Sequence, residues 1–130
     1  MKISIHLIII IIIIIFFSLF AGCTSNCTEY YPNITINKVG EKRIPILFSS
    51  DCKYEIEYEI VNHGMAINDT ILFEIKMIDR KSGDQIDNKI VTISTLGDFE
   101  HKRGIETLRG KCWATYDYNC VIYPTYNCVE

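Results

Sequence analysis

The chain has 130 residues, with 13 Lys and Arg against 16 Asp and Glu, a formal net charge of −3 and 48% hydrophobic residues. Its length is that of one domain with one modest core. A mildly acidic exterior excludes nucleic acid as the expected partner, because no basic stripe is available to neutralise phosphates.

The chain opens with Lys2 and then runs apolar from Leu7 to Ala21, 15 residues of which only Ser18 is polar. As a helix such a block covers roughly 22 Å at ~1.5 Å per residue. That is short of a bilayer core of about 30 Å. A positive start, an apolar block and small residues at its end are the parts of an export signal. Residues 1–22 are therefore expected to be a cleaved signal peptide. An uncleaved signal-anchor, giving a single-pass membrane protein with a disulfide-rich ectodomain, is the alternative.

The block ends in Phe20-Ala21-Gly22-Cys23. This resembles the lipobox of prokaryotic lipoproteins, archaeal ones included: an apolar residue, two small residues, then cysteine. The Leu preferred at the first position stands one residue early, at Leu19. The resemblance implies a lipid on the Cys23 sulfur and a mature chain beginning there. The protein would then be anchored to the cell membrane on its extracytoplasmic side. A lipid with two chains holds a protein to a bilayer without a span. Loss of residues 1–22 from the 130-residue chain leaves 108 residues, and loss of Lys2 takes the charge from −3 to −4.

Cys23, Cys27, Cys52, Cys112, Cys120 and Cys128 in a small exported chain read as a disulfide framework. With lipid on Cys23, the other five make two bridges and leave one odd thiol; with Cys23 free as a structural half-cystine, three bridges are possible. A hairpin about Pro124 would set Cys120 opposite Cys128. In a sandwich whose first and sixth core strands run the same way, Cys52 would lie near Cys112. Zinc would need closely paired cysteines, which this spacing lacks, so no metal and no cofactor are expected.

Residues 23–32 are polar without periodicity and read as a tether, followed by a domain over residues 33–130. Asn26-Cys27-Thr28, Asn33-Ile34-Thr35 and Asn68-Asp69-Thr70 are sequons, so Asn26, Asn33 and Asn68 are candidate glycosylation positions on the surface. Ile34 to Val39 predicts a strand, Gly40-Glu41-Lys42 a turn, and Arg43 to Ser49 an edge strand or a strand start, since Pro45 cannot donate to a ladder.

Lys53 to Val61 alternates strictly. Tyr54, Ile56, Tyr58 and Ile60 share one face, and Lys53, Glu55, Glu57 and Glu59 the other. The glutamates line a solvated face. Asn62-His63-Gly64 turns, and Thr70 to Ile78 is a second strong strand with Ile71, Phe73, Ile75 and Met77 on one side and Glu74 and Lys76 on the other. Asp79 to Asp84 is a hairpin turn about Lys81-Ser82-Gly83. Lys89 to Thr95 is a strand, Glu100 to Arg103 a solvated loop or short edge, and Ile105 to Arg109 a further strand. Cys112 to Ile122 alternates again, Tyr123-Pro124-Thr125 turns, and Tyr126 to Glu130 returns as a short strand. No long helical periodicity follows the leader. About seven short strands with turns between them predict an all-β, antiparallel sandwich behind the signal helix.

Tyr58 to Gly64, Phe73 to Asp79 with Gly83 after it, and Ile90 to Leu96 resemble the strand rhythm of prokaryotic cell-surface immunoglobulin-like modules of the cell-adhesion-related and FxLYD types. Tyr118-Asn119-Cys120 is similar to the Tyr-x-Cys of immunoglobulin domains, which implies Cys52–Cys120 as the bridge. Gly97-Asp98 departs from the module's Gly-Glu, and no Trp stands in the second strong strand. The resemblance implies an immunoglobulin-like fold and a binding or structural module with an unknown protein or glycan partner and no catalytic residues.

His63 and His101 have no nucleophile that the sequence places beside them, so no enzyme is expected. A small secreted hydrolase or inhibitor is a third reading, for which no motif speaks. Tyr54, Tyr58, Tyr116 and Tyr118 are expected to fill the core with their hydroxyls at its rim. Trp113 lies off that face; ordinary partial burial is the first expectation for it, and it is the first residue to test for a binding surface.

Overall fold

The computed structural model describes residues 26–129, and the expected signal peptide and Cys23 lie outside them. The described residues are all-β. Their strands are β1 (Asn26–Tyr30), β2 (Ile34–Pro45), β3 (Asp51–Asn62), β4 (Ile71–Asp79), β5 (Gln85–Ile93), β6 (His101–Lys111), β7 (Tyr116–Ile122) and β8 (Thr125–Val129). Three sheets result, with orders β2-β3-β6, β5-β4-β7 and β1-β8, and the pairing within the two three-stranded sheets is antiparallel. The chain divides into two compact units. One contains the described residues up to Thr28 and from Asn127; the other is Glu29–Tyr126 and holds both three-stranded sheets.

Two-residue alternation builds the core of the larger unit. Tyr54, Ile56, Tyr58 and Ile60 of β3 are buried, as are Ile71, Phe73, Ile75 and Met77 of β4. The two inner faces meet. The Tyr58 ring stands edge-on to Phe73, and Tyr54 edge-on to Tyr116, each with centroids 5.2 Å apart. Such pairs add about 0.5–1.5 kcal/mol beyond the area they bury.

Long partners straighten segments that look broken in sequence. β2 runs without a turn through Gly40-Glu41-Lys42, because the 12-residue β3 offers a template along its whole length. The irregularity becomes a register shift between Lys38 and Gly40, a bulge rather than a reversal. β6 is likewise one strand through the charged stretch expected to be a solvated loop or short edge, and it is an edge strand, paired from Val61↔His101 to Asp51↔Lys111. Residues 112–115 are not strand: β7 starts only at Tyr116, on the other sheet. β8 does not fold back on β7. It pairs with β1, so part of the expected tether, Asn26–Tyr30, is a strand.

The bridges are Cys27–Cys128, with Cα atoms 4.0 Å apart, and Cys52–Cys112, at 5.0 Å. Cys120 is a free, half-buried thiol opposite Ile75 in the β4–β7 ladder. The Cys120–Cys128 hairpin bridge is thus not formed, because β8 leaves β7 for β1. The Cys52–Cys120 bridge implied by resemblance is not formed either: Cys52, at the start of β3, is bridged to Cys112, while Cys120 stands opposite Ile75 within the β4–β7 ladder. Cys52–Cys112 does form, but for a reason other than strands running the same way. β3 and β6 are antiparallel neighbours that pair Cys52 with Gly110, and Cys112 lies just beyond.

Candidate binding surface around Trp113

Three turns meet where β3 begins. The β4–β5 hairpin is fixed by Asp79, whose carboxylate accepts the Lys81 and Ser82 amides at 2.7 and 3.1 Å. Gly83 closes it with φ of 77°, where a Cβ would be strained. The β2–β3 turn is closed by the Ile46 amide donating to Asp51 at 3.2 Å. The third turn, 112–115, carries Trp113.

That turn is held from several sides. Cys112 is bridged to buried Cys52. The Cys112 amide donates to the Ser50 carbonyl at 3.0 Å, and the Arg80 amide to the Thr115 carbonyl at 3.0 Å. The Arg43 guanidinium donates to the Cys112 carbonyl at 2.7 Å. The Tyr54 hydroxyl donates to the Lys111 carbonyl at 2.7 Å, while the Tyr116 hydroxyl accepts the Lys111 amide at 2.7 Å. Yet the Trp113 side of this fixed backbone faces water, with the residue 77% exposed. Leu47 and Phe48 in the adjoining turn are also exposed, and Phe48 has a left-handed φ of 58°.

Two open clefts adjoin the turn and share Arg80, Ala114 and Thr115. One, of about 350 Å³, is completed by Asp79, Lys81 and Trp113. The other, of about 480 Å³, is completed by Glu41, Arg43, Tyr54 and Tyr116. Asp117 accepts from Arg80 Nε at 3.0 Å and from its terminal nitrogen at 2.7 Å, and this raises the guanidinium pKa above its ordinary value. Burial pushes the Tyr54 hydroxyl up, and Tyr116 adds to the shift. Burial, then Glu41, does the same to Tyr118, whose ring carries the Lys38 ammonium at 4.5 Å from its centroid. An exposed indole beside guanidinium and phenol groups can stack on and hydrogen-bond a ligand.

Tyr54, Tyr58 and Tyr116 are buried and Tyr118 is half-buried, as the alternation predicts. His63 and His101 lie at the opposite end of β3. His63 Nε2 is 2.9 Å from Thr35 Oγ1, and His101 Nδ1 is 3.7 Å from Glu59. Glu57 and Glu59 pair with Arg103 at 3.8 and 3.3 Å on the outer face of their sheet, a solvated arrangement worth about 0–1 kcal/mol per pair. Asn33 and Asn68 are exposed, and Asn26 lies in β1.

Two polar residues of consequence have partners that pattern reading does not supply. Asn62, 1% exposed, donates from its side-chain amide to the carbonyls of Met65 and Gly97, each at 2.8 Å, and accepts the Gly64 amide at 3.0 Å. Glu74, 6% exposed, points to the outer face of its sheet as expected but is covered there. It accepts from Asn88 at 2.5 Å and from the Tyr123 hydroxyl at 2.6 Å, with the Lys76 ammonium at 3.7 Å. Compared with known protein families, curated proteins and solved structures, the chain matches none.

Proposed function

We propose that this chain is an exported protein, lipid-anchored through Cys23 on the outer face of the cell membrane, with an immunoglobulin-like sandwich that binds a protein or glycan partner through the Trp113 turn. The observation that carries the binding reading is Trp113 itself, 77% exposed on a turn bridged to the core by Cys52–Cys112. An indole left in water costs hydration free energy, and a fixed backbone beneath it lowers the ordering entropy of binding. The two bridges support an oxidising compartment. Neighbour relations β2-β3-β6 and β5-β4-β7 agree with the A-B-E and C′-C-F neighbours of immunoglobulin sheets. The departure is β8, which joins β1 instead of extending the second sheet.

The anchor is tested by the mass of the protein extracted from membranes. Residues 1–22 are missing and Cys23 carries the mass of a lipid; an intact Met1 contradicts it. The binding surface is tested by titrating envelope polysaccharide, and separately envelope protein, onto the detergent-solubilised full chain while following Trp113 emission. A saturable shift with either, abolished by Arg43→Ala, supports the surface. Emission unmoved by both overturns it.

A further inference from the structure

The end of the larger unit opposite Trp113 is also apolar and also rigidly built. β3 spans 12 residues, about 40 Å at ~3.3 Å each, between the Asp51 end and the Asn62 end. Three segments meet at the Asn62 end. The His63 amide donates to the Asn33 carbonyl at 2.9 Å, and the Phe99 amide to the Gly64 carbonyl at 3.1 Å. The buried Asn62 amide group bonds the loops carrying Met65 and Gly97, and Asp98 accepts the Ala66 amide. Each segment presents a large exposed side chain: Tyr31 is 62% exposed, Met65 83% and Phe99 68%. Phe99 sits at φ of 51°, a left-handed conformation unfavourable for a bulky residue, and contributes little burial in return. Tyr30 and Tyr126 are exposed on the neighbouring strands β1 and β8.

We infer that this end, through Tyr31, Met65 and Phe99, rests in the headgroup region of the membrane that carries the anchor. The inference depends on the N-terminal attachment proposed above, and holds equally for a lipid on Cys23 or an uncleaved apolar leader. In both cases the chain leaves the bilayer near Cys23. Tyr31 follows eight residues later, at most about 29 Å of extended chain. Cys27–Cys128 ties the other chain terminus to the same stretch. Tyrosine, with an apolar ring and a polar hydroxyl, suits the boundary between headgroups and acyl chains, and Met and Phe supply the apolar area that interfacial binding scales with. The Trp113 turn is thereby directed away from the bilayer.

The test uses the full chain reconstituted into phosphatidylcholine–phosphatidylglycerol vesicles with or without brominated acyl chains, which quench indoles near the lipid. Phe99→Trp and, separately, Met65→Trp are made in a Trp113→Phe background; the native chain reports from Trp113. The expected result is that brominated lipid roughly halves the emission of each introduced indole, at an interfacial depth of about 5–10 Å, with native Trp113 emission unchanged. Protein that sediments with vesicles yet shows no quenching at either new indole overturns the inference and leaves the anchor intact. Protein that does not sediment overturns both. Glycans detected on both Asn33 and Asn68 would stand between this end and the headgroups, and would also overturn it.

Discussion

At the scale of single residues, the polar groups that shape this protein are those that satisfy others out of sight of the sequence pattern. Asn62 ends β3 on a position that alternation marks as inward, and its amide closes three bonds to two loops. Asn62→Ala leaves two carbonyls and an amide without that partner and should cost about 1–3 kcal/mol, read as a shift of the urea midpoint at unchanged slope. Glu74 shows a different limit. Its outward direction was legible from β4, but Asn88 and Tyr123, which stand over it, are 14 and 49 residues away. The bond from Tyr123, then that from Asn88, holds the Glu74 carboxyl below its ordinary range, and the same bond raises the Tyr123 hydroxyl. A carboxylate held low in the folded state stabilises it above the unfolded pKa of about 4.3, and that contribution is lost as pH falls through the lower folded value. Glu74→Gln should therefore melt below the parent at pH 6–7 (a range about two units above that pKa). The gap should close on acidification, as followed by thermal melts from that range downward. A gap independent of pH would mean that the charge of Glu74 is not what the cluster stabilises.

At the scale of elements, strict alternation made β3 and β4 legible, and their buried faces are the ones the pattern names. β2 and β6 were read as broken because Gly40 and the run Glu100–Arg103 carry local turn and solvent signals. Those signals yield to pairing: β3 contacts both strands along its length, and a bulge absorbs the irregularity. The alternation of 112–115 misled in the opposite direction, since a strand changing sheets needs a turn there. The site was legible only in Trp113, which the face assignment set apart; Arg43, Arg80 and Thr115 come to it from β2, the β4–β5 hairpin and the same turn, contacts no periodicity encodes. The bridge beneath the turn closes a separation of 60 residues. Replacing Cys52 and Cys112 together by Ser should cost about 2–4 kcal/mol in unfolding free energy. It should also raise the hydrogen-exchange rate of the Ala114 amide, whose bond to the Lys111 carbonyl is already long at 3.4 Å. Exchange as slow as in the parent would show that hydrogen bonds alone fix Trp113.

At the scale of the whole molecule, the proposed function makes this an exported chain in which two disulfides add to the stability of a modest core. One bridge closes the termini, Cys27 to Cys128, and one fixes the Trp113 turn, Cys52 to Cys112. The odd thiol follows from the count once Cys23 is given to lipid, and Cys120, half-buried with its pKa raised by burial, fills that place. A thiol held protonated in apolar surroundings reacts slowly, which keeps it out of exchange with the two bridges. The compartment is therefore the central claim, and it is tested most directly by alkylating the protein in membranes, native and after denaturation, then digesting without reduction and mapping every cysteine by mass. The account predicts linked peptides for Cys27–Cys128 and Cys52–Cys112, lipid on Cys23, and alkylation confined to Cys120 after denaturation. Alkylated Cys27, Cys52, Cys112 and Cys128 in the freshly isolated native protein would contradict it.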